Sequence, residues 1–100
     1  METKNGIYKY YYKSGELFNI SEYNNDKLNG ECICYYKNGN VLSNCNYIND
    51  KKHGKEYIYN INGFLYKSTD YNNDKIIEEI IHYENGNDVS TYNTIKKYYN

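Results

Sequence analysis

The sequence predicts an all-β fold: a single-layer antiparallel meander of about eight strands, built from four hairpin repeats of 24 residues. Three observations carry this. The glycines are periodic, with Gly6, Gly30 and Gly54 spaced 24 apart, Gly15, Gly39 and Gly63 at the same spacing, and Gly86 following at 23. Tyrosine and isoleucine, both strand formers, number 16 and 11, while 18 asparagines cluster with Asp and Gly in turn-like positions. Leu, Val, Phe and Met together supply only nine residues, too few for two packed layers that must each bury an apolar face.

Other columns keep the same period. Tyr23, Tyr47 and Tyr71 recur, as do Asn25-Asp26-Lys27, Asn49-Asp50-Lys51 and Asn73-Asp74-Lys75. Tyr11, Tyr35 and Tyr59 form a further column that His82 continues, and Leu17, Val41 and Leu65 another. The chain divides into units of about 3–26, 27–50, 51–74 and 75–97, making one domain over residues 1–100. Met1 and the near-exhaustion of the chain by four units predict a full-length protein with no room for a fused catalytic domain.

Within a unit the order is strand, tight turn, strand, looser turn. Asn38-Gly39 reads as a two-residue type I′ hairpin turn, with Ser14-Gly15, Asn62-Gly63 and Asn85-Gly86 in the matching places. The seven glycines are read as turn residues. The Tyr-x-Asn-Asp-Lys segment reads as the looser turn, with each aspartate bonding its own turn backbone beside a lysine. Ile76-Ile77-Glu78-Glu79-Ile80-Ile81 has a helix-compatible apolar spacing, but by register it aligns with strand residues 28–33 and 52–57. Strands of five to seven residues follow from the turn spacing.

Placing Asn38-Gly39 at the turn sets Tyr36 opposite Val41, Cys34 opposite Ser43 and Cys32 opposite Cys45. Cross-strand pairs Tyr11/Phe18, Tyr35/Leu42 and Tyr59/Tyr66 then form an aromatic ridge on one face. Neither face is wholly polar or apolar, as suits a sheet wetted on both sides. Tyrosine packs its ring across strands while its hydroxyl stays hydrated.

The unit Tyr47-x-Asn49-Asp50-Lys51-x-His53-Gly54, followed by Tyr59, Asn62-Gly63 and Leu65, resembles the MORN repeat (membrane occupation and recognition nexus). The segment Tyr11-Tyr12-Lys13-Ser14-Gly15-Glu16-Leu17 is closer to the variant found in bacterial antitoxin-like proteins and giant DNA viruses. The resemblance covers essentially the whole chain in four tandem units. It implies the β-meander and a scaffold or binding role instead of catalysis. Asn-Asp replaces the family's usual linking turn, no tryptophan is present, and Glu78 stands where Gly30 and Gly54 stand in earlier units, as in a degenerate end repeat.

Several function classes are disfavoured. Twelve lysines and no arginine against 13 acidic residues leave a net charge of −1, without the positive surplus that attracts nucleic acid. The lysine column is cancelled by the aspartate column, which also disfavours a lipid surface. No stretch approaches the roughly 20 apolar residues that span a bilayer, and no signal-peptide pattern follows Met1, so an intracellular, cytoplasmic location is the expectation. Cys32, Cys34 and Cys45 lack zinc-ligand spacing and fill ordinary strand columns; a Cys32–Cys45 cross-strand disulfide fits the geometry but not a reducing compartment. His53 and His82 have no nucleophile beside them. No catalytic residue, cofactor or metal is expected.

The expected function is therefore a non-enzymatic scaffold that binds a protein partner through Tyr11, Phe18, Tyr35, Leu42, Tyr59 and Tyr66. Tyrosine anchors interfaces at low entropic cost. The alternatives are an antitoxin-like protein neutralising a toxin enzyme, or a peripheral membrane module as the family name suggests. The open edge strands of a meander also predict self-association.

Overall fold

A computed structural model describes residues 2–85 and 88–97, and side chains over 2–82 and 95–97; Gly86 and its turn lie outside the described residues. Among the described residues nine strands form one antiparallel sheet: β1 (Gly6–Tyr11), β2 (Leu17–Asn24), β3 (Lys27–Tyr35), β4 (Val41–Ile48), β5 (Lys51–Lys52), β6 (Gly54–Tyr59), β7 (Leu65–Asn72), β8 (Lys75–Asn85) and β9 (Asp88–Lys97). Their spatial order follows the chain from β1 to β9, with short β5 pairing only β4. The sheet is 14 Å across its thinnest direction. Most strands are longer than the turn spacing predicts, at eight to eleven residues for β2–β4 and β7–β9. Ile76–Ile81 is strand, inside β8.

The two kinds of turn exchange roles relative to the sequence expectation. Asn25-Asp26, Asn49-Asp50 and Asn73-Asp74 take positive φ at both residues (51° and 69°, 48° and 70°, 50° and 69°). That is the signature of a two-residue type I′ turn. The flanking pairs Asn24↔Lys27, Ile48↔Lys51 and Asn72↔Lys75 close directly around them. Asn and Asp tolerate this conformation because their short polar side chains add little steric conflict.

The Asn-Gly hairpin is the wider one. Tyr36 N–H donates to Asn40 O and Gly39 N–H to Tyr36 O, both at 2.9 Å, enclosing the three residues Lys37-Asn38-Gly39. Gly39, at φ +93°, supplies the left-handed residue that ends such a loop. The same bonds recur around Gly15 and Gly63. The extra loop residue enters the strand as a bulge, so Tyr35 faces Val41 instead of Tyr36 doing so, while Cys34↔Ser43 and Cys32↔Cys45 stand as expected. Tyr11 likewise faces Leu17, and Tyr59 faces Leu65. The one-to-one pairs Tyr11/Phe18, Tyr35/Leu42 and Tyr59/Tyr66 are therefore not formed; Phe18, Leu42 and Tyr66 are the additional bulge residues.

The aspartates reach further than expected. Instead of bonding its own turn, each one holds the backbone 22 residues earlier. Asp50 donates its N–H to Leu28 O at 2.8 Å and accepts Leu28 N–H on Oδ1 at 2.7 Å. Asp26 does the same with Lys4 (3.0 and 2.6 Å), and Asp74 with Lys52 (2.9 and 2.8 Å). Asn5 and Asn29 add a bond each, accepting the N–H of Asn25 and Asn49 at 3.0 and 3.3 Å. The lysines that follow the aspartates take no part in the described ion pairs, which are Lys52–Glu56, Lys55–Asp70 and Lys97–Glu78.

The glycines divide by position. Gly15, Gly39 and Gly63 lie in loops, whereas Gly6, Gly30 and Gly54 are strand residues, not turn residues. Each of the latter lies opposite a tyrosine: Gly6↔Tyr23, Gly30↔Tyr47 and Gly54↔Tyr71. An aromatic side chain opposite glycine covers backbone that glycine leaves bare. Gly30 marks a wide irregularity, where the register slips between Ser21↔Cys32 and Tyr23↔Leu28. In the fourth unit the slip is smaller, between Asp70↔Glu78 and Tyr71↔Ile76. The missing residue of that unit thus falls in the bulge, which removes the need for a glycine there.

Two expectations follow from this geometry. Asp50→Ala, which removes the Oδ1 acceptor, should cost about 1–2 kcal/mol in urea denaturation, while Asp50→Asn, which keeps an acceptor, should be near neutral. Gly39→Ala meets nothing within 4 Å and should cost about 1–2 kcal/mol for its backbone alone. Gly30→Ala should cost more, because at φ +119° its new Cβ also collides with the Glu22 carboxylate and lies 3.2 Å from Glu22 Cβ.

Candidate functional site

Sheet alternation divides the side chains between two faces, and they differ more than the sequence indicates. Among the described residues five are buried: Asn19, Ser21, Cys45, Glu56 and Thr69. All fall on one face. The register runs Tyr8↔Ser21, Ser21↔Cys32 and Cys32↔Cys45. Two residues along from Ser43↔Ile58, Cys45 stands beside Glu56, which pairs with Thr69 and then Glu79. This row of short polar side chains and thiols crosses the whole sheet and lies between tyrosines. Tyr8 and Tyr23 meet edge-on at 5.3 Å between ring centres.

Polar groups at the Asn19–Cys45 end of the row contact one another, whereas the buried Thr69 Oγ1 has no hydrogen-bond partner. Ser21 Oγ donates to Asn19 Oδ1 at 2.5 Å. Asn19 Nδ2 donates to Ile33 O at 3.1 Å and lies 3.2 Å from Cys34 Sγ and 3.5 Å from Cys32 Sγ. Cys32 Sγ is also 3.4 Å from Ser21 Oγ. The hydrogen bond from Cys45 pulls the Cys32 thiol down to about 5 despite its partial burial; Ser21, Asn19 and the Lys52 charge act in the same direction. The same hydrogen bond and burial hold Cys45 well above the ordinary thiol range. Of the two thiols Cys32 is therefore the easier to ionise and Cys45 the harder.

Further along the row, Lys52 Nζ contacts Glu56 Oε2 at 2.8 Å, and Tyr71 donates to Glu56 Oε1 at 3.3 Å. Lys52 also sits 5.0 Å from the centre of the Tyr71 ring. Burial works against the ammonium, but the hydrogen bond and charge of Glu56 outweigh it and raise its pKa. Burial pushes the Tyr47 hydroxyl up to about 12, aided by the neighbouring Cys45. At the sheet edge, Lys4 Nζ stands over three rings, 4.9 Å from Tyr23, 5.5 Å from Tyr8 and 6.0 Å from Tyr10. There Tyr10 and Tyr23 share a 3.3 Å hydrogen bond that raises Tyr23 to about 12 and lowers Tyr10.

The opposite face carries the residues of the expected ridge. Alternation puts Tyr11, Phe18, Tyr35, Leu42, Tyr59 and Tyr66 on this side, with Ile20, Ile33 and Tyr57. Tyr11, Phe18 and Tyr66 are exposed (59%, 39% and 49%), whereas Tyr35, Leu42 and Tyr59 are half-buried. Phe18 packs edge-on against Tyr12 at 5.1 Å instead of against Tyr11. Tyr12 and Tyr36 donate their hydroxyls to Tyr35 O (2.6 Å) and Tyr59 O (2.8 Å), tying each wide hairpin to the next. Asn40, Val41, Tyr59 and Gly63 line a shallow groove between two such hairpins. His53 is exposed, between β5 and β6, and its N–H donates to Asn46 O.

Among the described residues no three His, Cys, Asp or Glu side chains converge to hold a metal ion. No helix among them is long and apolar enough to cross a membrane. Sequence reasoning placed the cysteines in register but missed their hydrogen-bonded environment. Asn19 and Ser21 supply it; Ser21 shares a 24-residue column with Cys45 and Thr69, whereas Asn19 is followed in its column by Ser43 and Lys67.

The thiol pair makes stability pH-dependent in a defined sense. An unfolded thiol titrates near 8.5. Cys32, held lower in the fold, contributes stability above that value and loses it as pH falls towards about 5. Cys45, held higher, contributes below its unfolded value and loses it as pH rises above. The stability advantage of the native chain over Cys32→Ser should therefore shrink from pH 8.5 to pH 5 in urea titrations. Thiolate absorbance at pH 7 should be present in the native chain and absent in that variant.

Compared with known proteins, the chain matches no family model, no curated protein and no solved structure.

Proposed function

We propose that the protein is a non-enzymatic, MORN-like repeat scaffold that binds a protein partner through the tyrosine-rich face of its sheet. The observation that carries this reading is the exposure of Tyr11, Phe18 and Tyr66, with Ile7 at 67%, on one face of a sheet that has no second layer. Aromatic groups held on a rigid support lose little entropy on binding and form the anchors of protein interfaces. Tyr35, Leu42 and Tyr59 are the half-buried base on which the exposed rings stand. The three free cysteines favour a cytoplasmic site of action.

The test uses variants that alter the exposed rings and leave the base intact. Phe18→Ser with Tyr66→Ser should preserve the β-sheet circular dichroism spectrum. Capture of a partner from the native host, located by a photocrosslinker at position 11, should weaken by about tenfold or more. Unchanged capture by the double variant, or crosslinks confined to the opposite face, overturns the reading.

A further inference from the structure

We propose that Cys32 and Cys45 form a reversible thiol–disulfide switch, in which Cys32 reacts with a peroxide and Cys45 resolves the product. Both thiols are free in this structure and lie directly opposite each other on β3 and β4. Cross-strand partners in an antiparallel sheet have Cα atoms about 4.5–5.5 Å apart. A disulfide needs roughly 4.4–6.8 Å, so the backbone already lies within range. The Cys45 thiol is turned towards β3, donating to Cys32 O at 3.8 Å.

The surroundings separate the two roles. Cys32 is half-buried, accepts from Asn19 Nδ2 at 3.5 Å and lies 3.4 Å from Ser21 Oγ, while Cys45 is only 6% exposed. The accessible, hydrogen-bonded sulfur is the one suited to attack as thiolate. The buried sulfur behind it is suited to resolve. Cys34 also contacts Asn19, but its cross-strand partners are Asn19 and Ser43, with no cysteine opposite.

The chemistry balances with hydrogen peroxide as oxidant. The Cys32 thiolate attacks one oxygen, the O–O bond breaks, and the leaving hydroxide takes a proton and departs as water. This leaves Cys32 as a sulfenic acid. Conversion of Cys32 to a sulfenic acid removes the hydrogen-bonding partner and charge that raise the Cys45 thiol. Cys45 then gives up its proton and attacks the Cys32 sulfur; the S–O bond breaks and a second water leaves. In sum, two thiols and one peroxide give one disulfide and two waters. A dithiol reductant reverses the product through exchange.

The test is peroxide treatment of the folded chain, with alkylation of the remaining thiols and mass mapping. The expected result is a mass loss of two hydrogens, a Cys32–Cys45 crosslink, one alkylated thiol at Cys34, and full recovery with dithiothreitol. Cys45→Ser should stop at a sulfenic acid on Cys32, trapped by dimedone, and Cys32→Ser should lose disulfide formation. A bridge involving Cys34, oxidation of all three thiols without a bridge, or a first sulfenic acid on Cys45 overturns the proposal. The mapping on the native chain decides this even if a variant fails to fold.

Discussion

The sheet depends on a two-bond clamp between successive turns. Asp26, Asp50 and Asp74 each exchange a backbone and a side-chain hydrogen bond with the residue 22 positions earlier. A hairpin alone is marginal in water, and a sheet without a second layer has no core to align its hairpins. The clamp supplies that alignment at the edge of the sheet. It links Lys4, just before β1, to the β2–β3 turn, and each later Asn-Asp turn to the strand that leaves the one before it, so neighbouring units stabilise one another as in other linear arrays. Positive φ at the Asn-Asp pair is what turns the aspartate N–H and carboxylate towards the earlier strand.

At the opposite edge a different bond does similar work. Tyr12 and Tyr36 reach from one wide hairpin to the backbone carbonyl of the next, while Asn60, in the third such hairpin, accepts the N–H groups of Asn62 and Phe64 in its own loop. Between these edges the two faces diverge. One holds a buried row of hydrogen-bonded polar groups and thiols, and the other an exposed aromatic surface. Single-layer architecture makes this division available, because a face that is not sandwiched can carry polar groups without burying them in an apolar core.

The same architecture explains the thiol chemistry. In a conventional core, Cys32 and Cys45 would be inert, since burial alone raises a thiol's pKa. Here Asn19, buried on the row and accepting from Ser21, presents its amide N–H to Cys32 while solvent stays within reach. A strand pair at the middle of the sheet therefore has a point that chemistry can modify without breaking the hairpin bonds.

The sequence by itself determined the class of fold, the strand order and most of the register, because strand formers alternate with turn formers at fixed spacing and neighbouring strands in the chain pair in space. It placed Cys32 opposite Cys45 and kept Ile76–Ile81 in a strand. It misassigned the turns, since Asn-Gly is the stronger local signal for a type I′ turn while Asn-Asp takes that conformation only with a distant backbone to bond. The ridge pairs shifted for the same reason: a three-residue loop sends a bulge into the strand, and loop length is set by closure across both strands. Only the tertiary structure decided which face is buried and where the aspartates reach. Both depend on contacts between units, which no local preference encodes.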